Sequence, residues 1–176
     1  MNIVVYCGSL DGSPAHGEAA RALGKMIGTH GDCLVFGASE CGLMGVLSNS
    51  AKDNGARIHG VGLEMFQDRV GAFGKTDELY IAKTFAERKT KMIELGDAFV
   101  ALPGGTGTLD EISEVLCLKP FYFPKKPVFL LNINGFYDDL AAFFKKVEAE
   151  GLLYPDAMNG VYFVSSVADI EAILYR

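Results

Sequence analysis

The sequence predicts an α/β protein, a doubly wound and mainly parallel sheet with helices on both faces. Two observations predict it. Short apolar runs alternate with helical stripes about six times along one continuous chain, the pattern of buried strands joined by crossover helices. Three of those runs end in small-residue turns, Gly8-Ser9, Gly37-Ala38-Ser39 and Gly104-Gly105-Thr106. In doubly wound sheets ligands sit beyond the carboxyl ends of the strands, so one crevice is expected to gather all three turns.

In order, Asn2 to Cys7 reads as a first buried strand, ending in Gly8-Ser9-Leu10-Asp11-Gly12. Ser13 caps the next helix with Pro14 at its first position, and Ala19, Ala20, Leu23, Met26 and Ile27 form its apolar stripe. Cys33 to Phe36 is a second strand, running through Gly37 to Gly45 into another helix. Ser39 invites comparison with a nucleophile elbow, but Cys41 stands where that pattern needs Gly and no His is placed as its base. Arg57 to Leu63 is a third strand. The irregular segment from Glu64 to Asp77 contains Gly74-Lys75-Thr76, yet Arg69 occupies the upstream Gly position of a Walker A motif, so it reads as an exposed loop.

Glu78 to Lys83 reads as a short strand, and Thr84-Phe85-Ala86-Glu87 as a capping box opening a helix through Leu95, with Phe85, Met92 and Ile93 as its apolar side. Asp97 to Leu102 is a strand. The helix marked by Leu109, Ile112, Val115 and Leu116 is expected to stop near Leu118, before a proline-broken aromatic linker from Lys119 to Pro127. Val128 to Asn132 is a strand and Phe136 to Glu150 a helix. A lone strand at Val161 to Val164 and a short helix capped by Ser166 close the chain.

Composition bounds the function. The 176 residues are 49% hydrophobic and 22% charged, which suits one globular domain over residues 1–176. A net charge of −6 argues against a nucleic-acid backbone as partner but leaves a small anionic ligand open. No basic leader and no apolar run of membrane-spanning length is visible, so a cytoplasmic protein without membrane contact is expected. Cys7, Cys33, Cys41 and Cys117 form no CxxC pair, and His16, His30 and His59 fall in separate segments without metal or triad spacing. No metal and no cofactor is therefore expected, and the three histidines read as structural.

The chemistry is concentrated in Leu102-Pro103-Gly104-Gly105-Thr106-Gly107-Thr108-Leu109-Asp110-Glu111. A strand, a glycine-rich turn and a helix N-terminus make an anion site, because glycines admit a ligand close to the backbone and the first helical amides point at it. Neither the dinucleotide GxGxxG nor the P-loop pattern is met. Thr108 to Glu111 also has the form of a capping box, which would explain Glu111 without a ligand. Arg88 and Lys89 fall near a helix start, where cations oppose the dipole, and this placement points to ligand contact rather than a solvated face.

Pro103 to Glu111 matches the pattern PGGxGTxxE, preceded by the pair Arg88-Lys89 and accompanied by Cys7-Gly8-Ser9 and Gly42-Leu43-Met44-Gly45. With these motifs the chain resembles the Lonely Guy (LOG) family, often labelled lysine decarboxylase-like, from about Ile3 to Gly151. The resemblance implies a Rossmann-like homodimer and a phosphoribohydrolase. Such an enzyme cleaves the N-glycosidic bond of a nucleoside 5′-monophosphate, AMP or a cytokinin riboside monophosphate, to free base and ribose 5-phosphate.

By position it makes Arg88 and Glu111 the catalytic pair, and Lys89 and Gly104, Gly105, Thr106, Gly107 and Thr108 nucleotide-binding residues. Gly8, Ser9, Gly37, Ser39, Arg88 and Asp110 complete the expected substrate site. Nothing singles out a Schiff-base lysine for a pyridoxal decarboxylase. The chain departs from the family pattern at Gly37-Ala38-Ser39, where three glycines are usual, and at Phe85 and Ala86, in place of Met and His. It departs again at Leu118 to Tyr122, in place of Trp-x-Gln-Leu-Gly, and it has no Trp. A carrier of a nucleotide or of the molybdenum cofactor on the same fold is the alternative.

Overall fold

The computed structural model describes residues 1–69 and 73–176. Seven strands, β1 (Asn2–Tyr6), β2 (Cys33–Phe36), β3 (Arg57–Leu63), β4 (Glu78–Ala82), β5 (Ala98–Ala101), β6 (Val128–Leu131) and β7 (Val161–Val164), form one sheet in the order β4-β3-β2-β1-β5-β6-β7. Every pairing is parallel. The intervening helices are α1 (Pro14–Thr29), α2 (Gly42–Asp53), α3 (Phe85–Leu95), α4 (Thr106–Tyr122), α5 (Asp138–Ala149) and α6 (Val167–Leu174). The chain reverses direction across the sheet at β1, between β2 and β5, which is where a doubly wound fold opens its crevice.

The period of two along β1 builds both layers. Ile3, Val5 and Cys7 join the cluster with α1, α2 and α6, while Val4 and Tyr6 join Met92, Ile112 and Val115 of α3 and α4. Full burial of Ile3, Val4, Leu23 and Ile112 contributes about 1.5–3 kcal/mol each. Helices α1 and α2 approach closely through glycine, since a Cβ on Gly24 would lie 2.4 Å from the Leu47 carbonyl oxygen.

Several expectations are corrected. Helix α4 passes Leu118 and carries Pro120 inside its last turns. A proline there removes one bond near a fraying end, and the buried Lys119 ties that end down by donating from Nζ to the Pro124 carbonyl at 2.6 Å. The strand at Val161 to Val164 is not alone. It pairs with β6 from Val128↔Val161 to Leu131↔Val164 and forms the far edge of the sheet.

Thr108 to Glu111 is not a capping box, because α4 already starts at Thr106 with Gly105 as its N-cap. Thr84 makes half of its expected box: its Oγ1 accepts from the Glu87 N–H at 3.1 Å. The Glu87 carboxylate turns instead to the Lys83 N–H at 2.8 Å and the Tyr80 hydroxyl at 2.5 Å. Within the segment expected to be an irregular loop, Glu64–Phe66 forms a 3-10 turn, and residues 70–72 lie outside the described residues. Among the described residues no helix is long and apolar enough to cross a membrane.

Candidate active site

The carboxyl ends of β1, β2, β3 and β5 open into a cavity of about 730 Å³, within the usual range of small-molecule sites. Its roof over β1 is the loop Gly8 to Gly12, and this loop is clamped from both sides. Gly42, with φ +57, lies where a Cβ would come within 2.4 Å of the Ser9 backbone, and Leu43 N–H donates to the Leu10 carbonyl at 3.3 Å. On the other side a Cβ on Gly8 would meet Gly104 Cα at 3.7 Å. Gly104 in turn packs on Thr108, whose Oγ1 would lie 2.1 Å from an added Cβ, while Gly105 and Gly107 face open space. The first turn of α4 therefore presents its amides to the cavity across bare backbone.

Arg88 reaches the cavity from α3. Its Nε–H donates to the Val61 carbonyl at 2.8 Å and its Nη1–H to Glu111 Oε1 at 3.0 Å. The remaining nitrogen, Nη2, rests against Gly37, where a Cβ would come within 2.0 Å. The Glu111 residue is only 8% exposed. Burial raises the pKa of its carboxyl above the ordinary range, Arg88 opposes that rise, and Asp110 adds to it. A buried carboxylate with one specific cation beside it, set in a cavity, makes Glu111 a candidate for proton chemistry.

The sequence-predicted residues Gly8, Ser9, Gly37, Ser39, Arg88, Gly104, Gly105, Thr106, Gly107, Thr108, Asp110 and Glu111 all line this cavity. Lys89 does not. Its Nζ pairs with Asp110 at 3.0 Å and Glu114 at 2.6 Å on the α3–α4 face, so the cation holds the two helices together beside the cavity. Ser39 is on the wall with its Oγ accepting the Cys41 N–H at 3.1 Å, a local turn rather than an activated nucleophile.

Ala38 adopts φ 62, a left-handed conformation that costs a non-glycine residue about 1–2 kcal/mol. Its carbonyl accepts the Gly74 N–H at 2.9 Å, which anchors the chain after residue 72 on the end of β2.

Sequence reasoning missed the aromatic end. Leu63, Met44, Met92, Phe66, Phe73 and Phe85 line the cavity on the β2–β3 side of β1. Phe66 and Phe85 meet edge to face at 6.2 Å, and the Arg69 guanidinium lies over Phe66 at 4.3 Å. Phe85 had the signature of a core residue, an apolar position on a helical stripe, but it is half exposed and its ring turns to the cavity wall. Also unforeseen is the Tyr6 hydroxyl, fully buried and without a hydrogen-bond partner among the described residues, which burial and the Glu111 charge keep protonated.

Gly37 supplies a test of this geometry. Gly37→Ala is expected to displace the Arg88 guanidinium and to lower turnover by about 100-fold, with a small change in melting temperature. An unchanged rate would mean that Arg88 need not sit over Gly37.

A parallel sheet with glycine turns at its carboxyl edge, and a buried arginine–carboxylate pair among them, defines an α/β protein with a cavity at its topological switch point. Residues 44–174 match the family model described as "Possible lysine decarboxylase", and the chain belongs to that LOG-type family. The cytokinin riboside 5′-monophosphate phosphoribohydrolase LOG of Oryza sativa subsp. japonica is 40% identical over 156 residues, 88% of this chain and 64% of the rice protein. The chain thus spans just under two thirds of that relative. The cytokinin riboside 5′-monophosphate phosphoribohydrolase of Rhodococcoides fascians is 38% identical over 163 residues, 91% of this chain and 82% of the relative. Among solved structures, the Moco carrier protein of Chlamydomonas reinhardtii superposes with a TM-score of 0.73 at 27% identity, covering 98% of this chain and 94% of that one.

Proposed function

We propose that this protein is an N-glycosyl hydrolase that splits a nucleoside 5′-monophosphate into free base and ribose 5-phosphate. The observation that carries the proposal is the Arg88–Glu111 pair, buried together on a cavity whose rim is made of glycine-turn amides. The rice and Rhodococcoides relatives bear names of this activity.

Each part of the cavity has a role in that reaction. Backbone amides of the α4 start hold the 5′-phosphate, as helix N-termini do. The aromatic end takes the base by stacking. As the N-glycosidic bond breaks, the ribose develops oxocarbenium character, which the Glu111 carboxylate stabilises. The water oxygen bonds to C1′, the base leaves with the bonding electron pair, and the water's proton passes by way of Glu111 to the departing base. Arg88 keeps Glu111 in place and offers Nη2 to ribose or phosphate oxygens. The bond is broken by water alone, so the reaction needs no metal or organic cofactor. The decarboxylase description fits poorly, since no lysine lines the cavity among the described residues to form a Schiff base with pyridoxal phosphate. The reading extends to a cytoplasmic homodimer acting on AMP or on a cytokinin-type N6-substituted analogue.

The test is product release. Purified protein is incubated with AMP, other nucleoside monophosphates and isopentenyl-AMP, and free base and ribose 5-phosphate are followed by chromatography. Stoichiometric release of both is the expected result. No release from any nucleotide by folded protein, with molybdenum or a pterin copurifying, would replace the hydrolase by a carrier.

A further inference from the structure

One side chain on the cavity wall remains unused by the proposed reaction. His16 lies at the third position of α1, and its N–H donates to the Ser13 Oγ at 3.4 Å. In return the Ser13 N–H donates to His16 Nδ1 at 3.3 Å. The sequence reading of an ordinary structural histidine therefore covers one nitrogen only. A capping box normally carries Glu or Gln at this position, and an imidazole there has a consequence those residues lack. Because Nδ1 accepts a backbone N–H, the neutral ring carries its proton on Nε2. That N–H has no partner among the described residues.

The ring is held in place on both sides. It meets Phe136 edge to face, with centroids 5.5 Å apart at 81°. Gly12, with φ +66, leaves no room beneath, since a Cβ there would lie 2.7 Å from His16 Nδ1. His16 and Phe136 both line the cavity together with Gly8, Ser9, Leu10 and the start of α4. This end is rich in donors. The N-termini of α1 and α4 both lie at the carboxyl edge of the sheet, and each favours an anion near it. Both cavity-lining carboxylates are already paired with cations, Asp110 with Lys89 and Glu111 with Arg88. The aromatic end lies on the β2–β3 side of β1, whereas the α4 start follows β5 on the other side.

We propose that the His16 Nε2–H donates to the 5′-phosphate of the substrate, and so distinguishes a nucleoside monophosphate from the nucleoside itself. The inference rests on the phosphoribohydrolase reading, which supplies the phosphate. It makes His16 a specificity-determining residue rather than a catalytic one: it acts on the end of the substrate remote from the bond that breaks.

Two variants separate this role from helix capping. His16→Glu restores the usual capping-box acid, so α1 keeps its start, but it sets a negative charge where the phosphate lies. His16→Gln keeps both the capping acceptor and an N–H donor. The full chain is assayed with AMP and with adenosine, and ribose 5-phosphate binding is measured by calorimetry. H16E is expected to lose about 100-fold in kcat/KM for AMP, mostly in KM, and to lose ribose 5-phosphate binding. H16Q retains most of the AMP activity, H16E loses proportionally more with AMP than with adenosine, and H16E melts no lower than the wild type. An H16E variant with wild-type KM for AMP overturns the proposal, as does an equal loss for AMP and adenosine. Absence of base release from the wild type would refute the hydrolase reading instead. Ribose 5-phosphate binding would then decide the role of His16 by itself, a loss in H16E supporting it and equal binding overturning it.

Discussion

Replacing Glu111 by Gln is expected to lower turnover of a nucleoside monophosphate by about 1,000-fold or more while leaving substrate binding largely intact. The amide fills the same volume and still accepts the Arg88 Nη1–H, so the pair's geometry is preserved. What is lost is the negative charge facing the developing oxocarbenium ion and the capacity to take a proton from water. The wild-type pH profile carries the same information. Burial raises the Glu111 pKa, and the carboxylate is the working form. Activity is therefore present above that raised pKa and lost as pH falls through it. The acidic limb of kcat/KM should lie above the ordinary carboxylate range, and E111Q should lack it. A Gln variant with near-normal turnover would remove Glu111 from the chemistry.

Loss of Arg88 should be nearly as severe, by a different route. Arg88→Met is expected to cost about 100-fold or more in kcat/KM and to move the acidic limb of the remaining activity to higher pH. The second effect follows from sign. The Arg88 charge is what lowers the Glu111 pKa against burial, so removing it lets burial act unopposed. Arg88→Lys should rescue little. An ammonium cannot hold the Val61 carbonyl and the Glu111 carboxylate through two separate nitrogens of one rigid plane while presenting a third to the ligand. An acidic limb that stays in place in R88M would show that the two residues are not electrostatically coupled.

The architecture was legible because most strands are short apolar runs, and because a strand, a small-residue turn and a helix follow one another at the ends of β1, β2 and β5. Arg88 stood out by its unfavourable position near a helix start, and Glu111 by its place after the glycine turn. What stayed hidden depends on distance in space. Nothing local distinguishes Phe85, which faces the cavity, from Met92, which is buried in the core at the same time as it lines the wall. Lys89 carries the same charge as its neighbour Arg88 but leaves α3 at a different angle, so one serves the cavity and the other the helix pair. Pro120 reads as a stop signal, yet the cost of one missing bond in a last turn is smaller than what the buried Lys119 anchor restores. His16 looked like a lone histidine because its ring partner, Phe136, comes from the other half of the chain.

The ion pair between Arg88 and Glu111 has a consequence for how the protein meets its ligands. The two groups neutralise each other, so the middle of the cavity offers anions a guanidinium whose charge is already compensated, with Nη2 alone left to donate. On the proposed reading, attraction falls to the backbone dipoles at the rim and to the His16 Nε2–H, away from the Arg88–Glu111 pair where bond cleavage would occur. Only a molecule long enough to anchor at the rim and still reach the centre can engage the pair. Inorganic phosphate, too short to do both, would occupy the doorway and leave the reactive centre untouched.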